Sequence, residues 1–165
     1  MKRRAALALT AALALSACGF QLRGANGSAG LPFKTIYIGV AETSPLGIEL
    51  RRYIRASGDS SVVTDPKEAD AIIEVLNEAK EKSALTLNTQ GRIREYSLFY
   101  RLRFRVKDNK ERELLAPTEI VLKRDISFNE SQVIAKEKEE EMLYRDMQSD
   151  LVQQILRRLS ALKTA

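Results

Sequence analysis

Apolar and polar positions alternate most regularly over residues 92–106. Because successive side chains of a strand point to opposite faces, this period of two predicts a long strand with one apolar and one basic face. The apolar face is formed by Tyr96, Leu98, Tyr100, Leu102, Phe104 and Val106, and the other by Ser97, Phe99, Arg101, Arg103, Arg105 and Lys107. Residues 71–87 predict a second arm, joined to the first by the turn Thr89-Gln90-Gly91, where Gly91 can adopt a positive φ.

Shorter patterns around this hairpin predict further elements. Residues 34–40 are dense in β-branched and aromatic side chains, which favours a first strand. Residues 113–126 predict a last strand, in which Pro117 favours an edge position or a bulge. A helix is expected to begin at Ser44-Pro45, which suit its cap and first position, and to end at Gly58. Its apolar residues recur at helical spacing: Leu46, Leu50, Tyr53 and Ile54.

Residues 131–162 predict one long helix, because their apolar side chains step by three or four along the chain. This stripe consists of Leu143, Met147, Leu151, Ile155, Leu159 and Leu162. The order of elements is strand, helix, antiparallel strands and helix. It predicts an α+β fold with a mixed or antiparallel sheet of about four strands and two helices packed on one face.

The N-terminus is typical of an exported lipoprotein. Basic residues at positions 2–4 precede an apolar stretch at 5–17, which is too short to cross a hydrocarbon core about 30 Å thick. Leu15-Ser16-Ala17-Cys18 then fits the bacterial lipobox, which predicts cleavage before Cys18 and acyl chains on that residue. The alternative is an ordinary secretory signal with an incidental cysteine. We expect a signal peptide at 1–17, a lipidated tether at 18–31 and a single domain at 32–165.

Loss of the signal peptide changes the charge balance. The full chain has 27 basic and 22 acidic residues, and residues 1–17 hold three of the basic ones and none of the acidic ones. The remaining net charge of about +2 does not favour nucleic acid as a partner. The single cysteine is used by the lipid anchor, so the hydrophobic core must hold the domain without a disulfide.

The residue types available favour binding over catalysis. The chain has no histidine, which removes the commonest general base and the usual zinc sites. It also has no glycine-rich phosphate loop and no HExxH motif. We therefore predict no catalytic residue, no metal site and no cofactor. A hydrolase that uses only carboxylates, tethered in the periplasm by its lipid, is the enzymatic alternative.

The row Arg101, Arg103 and Arg105 forms a basic ladder on one strand face, since residues two apart project from the same side. Such a row suits phosphates or the acidic groups of a partner protein. The alternative is a solvated face whose charges keep the sheet soluble. Phe99 on the same face favours an interface or an acylated, phosphorylated ligand. Arg92 and Arg94 add positive charge near the hairpin turn.

Residues 18–24, CGFQLRG, directly follow the lipobox and resemble the mature start of the LptE family of lipopolysaccharide-assembly lipoproteins. Other segments match the family in the same order. These are the Gly91 turn followed by Glu95-Tyr96, then Ala135-Lys136-Glu137, and finally the run at 141–147. The resemblance covers essentially the whole chain after the signal peptide.

This resemblance implies a sheet with two helices that plugs the lumen of the LptD β-barrel and helps deliver lipopolysaccharide to the outer leaflet. It also implies binding of lipid A phosphates by basic residues, and Lys136 lies at a basic position of the family. The family's basic residue in the hairpin turn falls near Thr89 here, and Arg92 is the nearest substitute, with Arg94 beside it. The expected location is the periplasmic side of the outer membrane, which Gly19 after Cys18 also favours. The alternative is an accessory lipoprotein of another envelope lipid-transport system.

Overall fold

The computed structural model describes residues 30–162. Two helices, α1 (Pro45–Ser57) and α2 (Val133–Ser160), pack with five strands. Short 3-10 turns at Pro66–Glu68 and Glu130–Gln132 precede β3 and α2. The strands are β1 (Thr35–Gly39), β2 (Ser61–Val63), β3 (Ala71–Leu87), β4 (Ile93–Lys107) and β5 (Glu113–Ser127).

The strands form one mixed sheet in the order β2-β1-β3-β4-β5. β1 is parallel to both β2 and β3, whereas β4 is antiparallel to β3 and β5. The α+β class and the mixed sheet are confirmed. The expected count of about four strands is low by one, because β2 has three residues and is too short to show an alternating pattern.

Local signals set the limits of α1. The Ser44 hydroxyl accepts a hydrogen bond from the Gly47 amide at 3.4 Å, and Pro45 occupies the first turn, where its missing N–H costs nothing. At the other end Gly58 adopts φ 77°, a conformation that glycine reaches without steric cost. Leu46, Leu50 and Ile54 are fully buried, as their spacing predicts.

The β3–β4 hairpin extends well beyond β1. Only the first residues of β3 pair with β1, from Ala71 opposite Ile36 to Glu74 opposite Gly39. The rest of β3 is an edge that pairs with β4 alone within residues 30–162. We call the end with the hairpin turn (88–92) and the start of α2 the distal end. The proximal end carries Gly30 and the β4–β5 turn (108–112).

The core occupies the proximal half of the sheet, under both helices. The second half of α2 buries Met147, Leu151, Val152, Ile155 and Leu159 against the apolar face of β4. Neither helix in the described range is long and apolar enough to cross a membrane.

The first half of α2 is held mainly by polar contacts. The Tyr144 hydroxyl donates to the Glu81 carbonyl at 2.8 Å, on the free edge of β3, and Lys82 pairs with Glu140 at 2.5 Å. Ile134 and Met142 remain exposed on the same half. The distal part of α2 therefore packs on the sheet without a continuous apolar interface.

Candidate ligand and partner surfaces

The hairpin turn at 88–92 forms one part of the distal end. The Asn88 side-chain oxygen accepts hydrogen bonds from the amides of Gln90 at 3.0 Å and Arg92 at 2.8 Å. Gly91 has φ 76°, so the predicted glycine turn is confirmed. These bonds fix the point at which Arg92 and Arg94 leave the turn, and the Arg92 guanidinium then donates to Glu130 at 2.9 Å.

The loop between β5 and α2 is tied to this turn. The Phe128 amide donates to the Arg94 carbonyl at 2.7 Å, and the Phe128 ring meets Tyr96 edge-on with centroids 5.3 Å apart. Asn129 caps the following 3-10 turn by accepting from the Ser131 amide at 3.1 Å. The hairpin, the loop and the start of α2 therefore form one connected surface.

Lys136 lies in the first turn of α2 and faces the sheet. Its ammonium donates to Ser127 at 3.0 Å and to Glu139 at 2.8 Å, and only 17% of its side chain is exposed. Beside it, the Lys82 ammonium lies 4.3 Å from the centre of the Tyr96 ring. Both lysines line a recess of about 220 Å³ between sheet and helix.

The fold brings the three candidate lipopolysaccharide-binding residues to one end of the molecule. Arg92 and Arg94 line a recess of about 170 Å³, and Lys136 lines the neighbouring one. Phe128 contributes to the walls of both recesses. The grouping shows that these cations share a surface, while their contact with a ligand stays a prediction.

Lys82 completes this group and was missed by sequence reasoning. A register shift between Val75 and Asn77 changes which side chains of β3 face α2. Polar side chains, Lys82 among them, face the helix only after this shift. No local pattern indicates which face a residue takes after such a bulge. The pairing of Lys82 with Leu98, an apolar-face residue of β4, is the signal that a correct register would have supplied.

Apolar side chains are exposed around the same distal cations. They lie at the end of β3 and at the start of α2, and they are Leu85 at 44% exposure, Leu87 at 61%, Val133 at 40% and Ile134 at 72%. The distal end therefore combines cationic and aliphatic surface, which suits an amphiphilic anion.

The sheet face turned away from the helices carries the predicted ladder. The Arg105 guanidinium donates to Glu74 at 2.6 Å, and that bond holds the pKa of the Glu74 carboxyl below its usual value of 4.5. Arg101 lies 3.4 Å from Glu81. Arg103 is exposed and makes no ion pair with the described side chains, although it is opposite Glu119 in the register.

This face is therefore of mixed charge, and the expectation of a strongly basic face is corrected. Carboxylates of β3 neutralise Arg101 and Arg105 across the strand pair. Phe99 remains on this face, with the Arg101 guanidinium 5.4 Å and the Lys123 ammonium 6.0 Å from its ring centre. Cys18, the predicted lipidation site, and the signal peptide lie outside the described residues.

The model of the LptE lipopolysaccharide-assembly family matches residues 33–159, which span the sheet and nearly all of α2. The chain belongs to the LptE family. No curated protein matches the chain significantly.

Solved structures of lipoproteins resemble this LptE-family chain. An uncharacterized lipoprotein B from Nitrosomonas europaea is 42% identical, with 87% of this chain and 91% of that chain covered and a TM-score of 0.74. The rare lipoprotein B of Shewanella oneidensis is 22% identical, with coverages of 78% and 95% and a TM-score of 0.68. A minor lipoprotein from Acinetobacter baumannii is 24% identical, with coverages of 82% and 98% and a TM-score of 0.65. The last two show the fold alone.

Proposed function

We propose that this LptE-family lipoprotein works at the outer membrane as the plug of an LptD-type β-barrel and binds lipopolysaccharide at its distal end. One observation supports lipopolysaccharide as the ligand: four cations lie beside exposed aliphatic side chains at the distal end. These cations are Arg92, Arg94, Lys136 and Lys82. Family membership supports the role in lipopolysaccharide assembly. Its action is binding and positioning, without catalysis.

The chemistry of lipopolysaccharide fits this surface. Lipid A carries phosphates and acyl chains together, so its recognition needs cations and apolar contact in one place. The Lys136 ammonium already donates to two oxygen groups, and a third donor hydrogen is available for a phosphate. Arg92 is 65% exposed and can exchange Glu130 for a more highly charged phosphate.

The uncovered sheet face supports the plug role. Both helices pack on the other side, so the face with Phe99, Arg101 and Arg103 is free within the described residues. The interior of a large transmembrane barrel is polar, and a mixed-charge surface can complement it and fix the orientation of the plug. A lipid on Cys18 would hold the protein at the membrane, and twelve residues to Gly30 can span roughly 40 Å when extended.

A binding titration tests the ligand proposal. The full chain is titrated with fluorescent lipopolysaccharide, and the double variant Arg92→Ser/Arg94→Ser and the single variant Lys136→Met are compared with the parent protein. We expect weaker binding by about tenfold for each, since a charge-assisted hydrogen bond contributes about 1.5–3 kcal/mol. Lys110→Met in the β4–β5 turn, at the proximal end, is the matched control and should bind normally. Equal binding by all variants would refute the distal site.

Copurification tests the barrel proposal. The variant Arg101→Ser/Arg103→Ser/Arg105→Ser is expressed with a tagged LptD-type barrel, and recovery of the complex after mild detergent extraction is measured. A control that removes the same charge elsewhere carries Lys138→Ser, Arg145→Ser and Arg157→Ser on α2. We expect loss of recovery for the ladder variant alone. If no barrel copurifies with either the parent protein or the control, the result would favour a role in another envelope transport system.

Lipidation has its own test. The parent protein and Cys18→Ser are labelled in cells with an alkyne fatty acid, and incorporation and outer-membrane fractionation are followed. We expect label and membrane association in the parent protein only. An unlabelled parent protein would show that Cys18 is an incidental cysteine after an ordinary signal.

A further inference from the structure

An unassigned cleft lies between α1 and the edge strand β2, on the opposite edge of the sheet from β5. Its volume is about 630 Å³. Val40, Ile48 and Val62 supply an apolar floor, and Ile48 is 54% exposed although its helix packs on the core. Neither the distal cations nor the uncovered sheet face contributes to it, so the proposed function leaves this cleft without a role.

The edge of β2 presents free backbone groups beside the cleft. Within residues 30–162, β2 pairs only with β1 and in parallel register. Ser61 donates its amide to the Lys34 carbonyl at 2.8 Å. Because alternate residues of a strand direct their backbone groups to opposite sides, the N–H and C=O of Val62 point away from β1. An exposed edge of this kind can accept an additional strand.

Three arginines of α1 form the rim of the cleft. Arg51 donates to the backbone carbonyls of Val40 and Glu42, each at 3.3 Å, so its charge meets no carboxylate. Arg52 is 70% exposed and reaches Glu49 only at 3.5 Å. Arg55 makes no ion pair with the described side chains. Glu42 also lines the cleft, so the rim carries three cations and one carboxylate and has a net positive charge that suits an anionic partner.

We propose that this cleft binds an extended acidic segment of a partner protein, which adds to β2 as a further strand. The segment would bond to the backbone of Val62, place aliphatic side chains on Ile48 and Val40, and set its carboxylates against Arg52 and Arg55. The chain's own residues 18–29 are a poor occupant, because they contain one arginine and no acidic residue. Charge complementarity therefore favours a separate acidic partner.

A designed peptide serves as the probe. A fluorescein-labelled hexapeptide of alternating valine and glutamate is titrated into the full-length protein, and a lysine counterpart of the same length is the control. Fluorescence anisotropy gives the affinity, and backbone amide shifts in NMR spectra give the location. We expect saturable binding of the acidic peptide, at least about tenfold weaker binding of the basic one, and shifts at 61–64 and along α1.

Two variants separate the rim from the strand edge. Arg52→Ser/Arg55→Ser removes the cations, and we expect a loss of about tenfold in affinity for the acidic peptide. Val62→Pro removes one outward N–H at a position where an edge strand tolerates proline, and we expect binding to be lost while the protein stays folded. Arg145→Ser/Arg157→Ser on the exposed side of α2 is the charge-matched control for the double variant and should bind as the parent protein does.

Three results would overturn the proposal. Equal binding of the acidic and basic peptides would show nonspecific apolar contact. Amide shifts confined to the free edge of β3 at 76–87 would place the peptide elsewhere. Parent-like binding by Val62→Pro, with its fold verified by circular dichroism, would rule out strand addition at β2.

Discussion

Tyr100 donates its phenolic hydrogen to Glu78 across the β3–β4 pair, with the two oxygens 2.5 Å apart. Tyr100 is fully buried and Glu78 is exposed, so the bond joins the core to the solvated part of β3. The Lys80 ammonium lies 4.8 Å from the centre of the Tyr100 ring and 5.5 Å from that of Tyr144. These contacts connect the packed proximal half of the fold to its polar distal half.

Tyr100→Phe removes this hydrogen bond and keeps the ring. We expect the free energy of unfolding to fall by about 1 kcal/mol, because water can rehydrate the exposed Glu78 carboxylate. Urea denaturation followed by circular dichroism measures the change. The same substitution in a Glu78→Ala background should cost much less, and an equal cost in both backgrounds would show that the bond contributes nothing.

Alkaline pH should destabilise the fold through two tyrosines. Burial raises the pKa of Tyr100 and, to a smaller extent, that of Tyr144 above the ordinary value of 10.0. The folded state therefore holds these protons after the unfolded chain has released them, and the stability they contribute is lost as pH rises above about 10. Ultraviolet titration of phenolate formation should show Tyr100 ionising only on unfolding. A Tyr100→Phe variant that still shows the same unfolding-linked absorbance would contradict this.

Acid should lower the stability of the fold through Glu74, which lies on the sheet face turned away from the helices. Hydrogen bonding from Arg105 lowers the Glu74 pKa, so its stabilising effect is present above the ordinary carboxyl pKa and disappears as pH falls through the lowered one. Glu74→Gln should therefore lower stability at pH 7, and the effect should shrink as pH falls below 4.5 towards the lowered pKa. We expect a small effect, because 34% of the Glu74 side chain is exposed and solvent screens the pair. Glu42→Gln is the control, and a pH-independent cost for Glu74→Gln would contradict the ion pair.

Shortening a side chain to alanine should lower the free energy of unfolding far more in the second half of α2 than in the first half. Leu151 is fully buried among core side chains, whereas Met142 is 61% exposed on the same helix. Leu151→Ala should cost about 2–5 kcal/mol, since it removes apolar contacts and leaves a cavity. Met142→Ala should change the free energy of unfolding by no more than about 0.5 kcal/mol. Comparable losses in urea denaturation would show that the distal half is packed as tightly as the proximal half.

The sequence predicts the elements whose signals are local. The cap at Ser44, the stop at Gly58 and the two hairpin arms each depend on a few neighbouring residues, and the structure places them where they were expected. β2 has no such local signal, because three residues cannot display a period of two. Its strand character comes from pairing with β1, which is a tertiary contact.

The surfaces are harder to predict because they depend on register. The carboxylates that neutralise the ladder, Glu74 and Glu81, belong to another strand, and a bulge after Val75 decides which residues face each other. The same bulge turns Lys82 toward α2 and into the distal recess. The alternation in β4 indicates which of its own residues share a face, but it contains no information on the opposing strand.

The hairpin turn offers a way to disturb the distal site without removing a charge. Gly91 has φ 76°, and no atom lies within 4 Å of where a Cβ would stand, so only backbone strain opposes a side chain there. Gly91→Ala should cost about 1–2 kcal/mol, whereas Gly91→Asn should cost less, because asparagine tolerates the left-handed region better. Arg92 and Arg94 follow this turn directly, so Gly91→Ala should also weaken lipopolysaccharide binding more than Gly91→Asn does. Gly58, at the end of α1, has a similar φ of 77°. Gly58→Ala therefore introduces comparable backbone strain far from the distal site and is the control. If it impaired binding as much as Gly91→Ala, loss of stability alone would explain both effects.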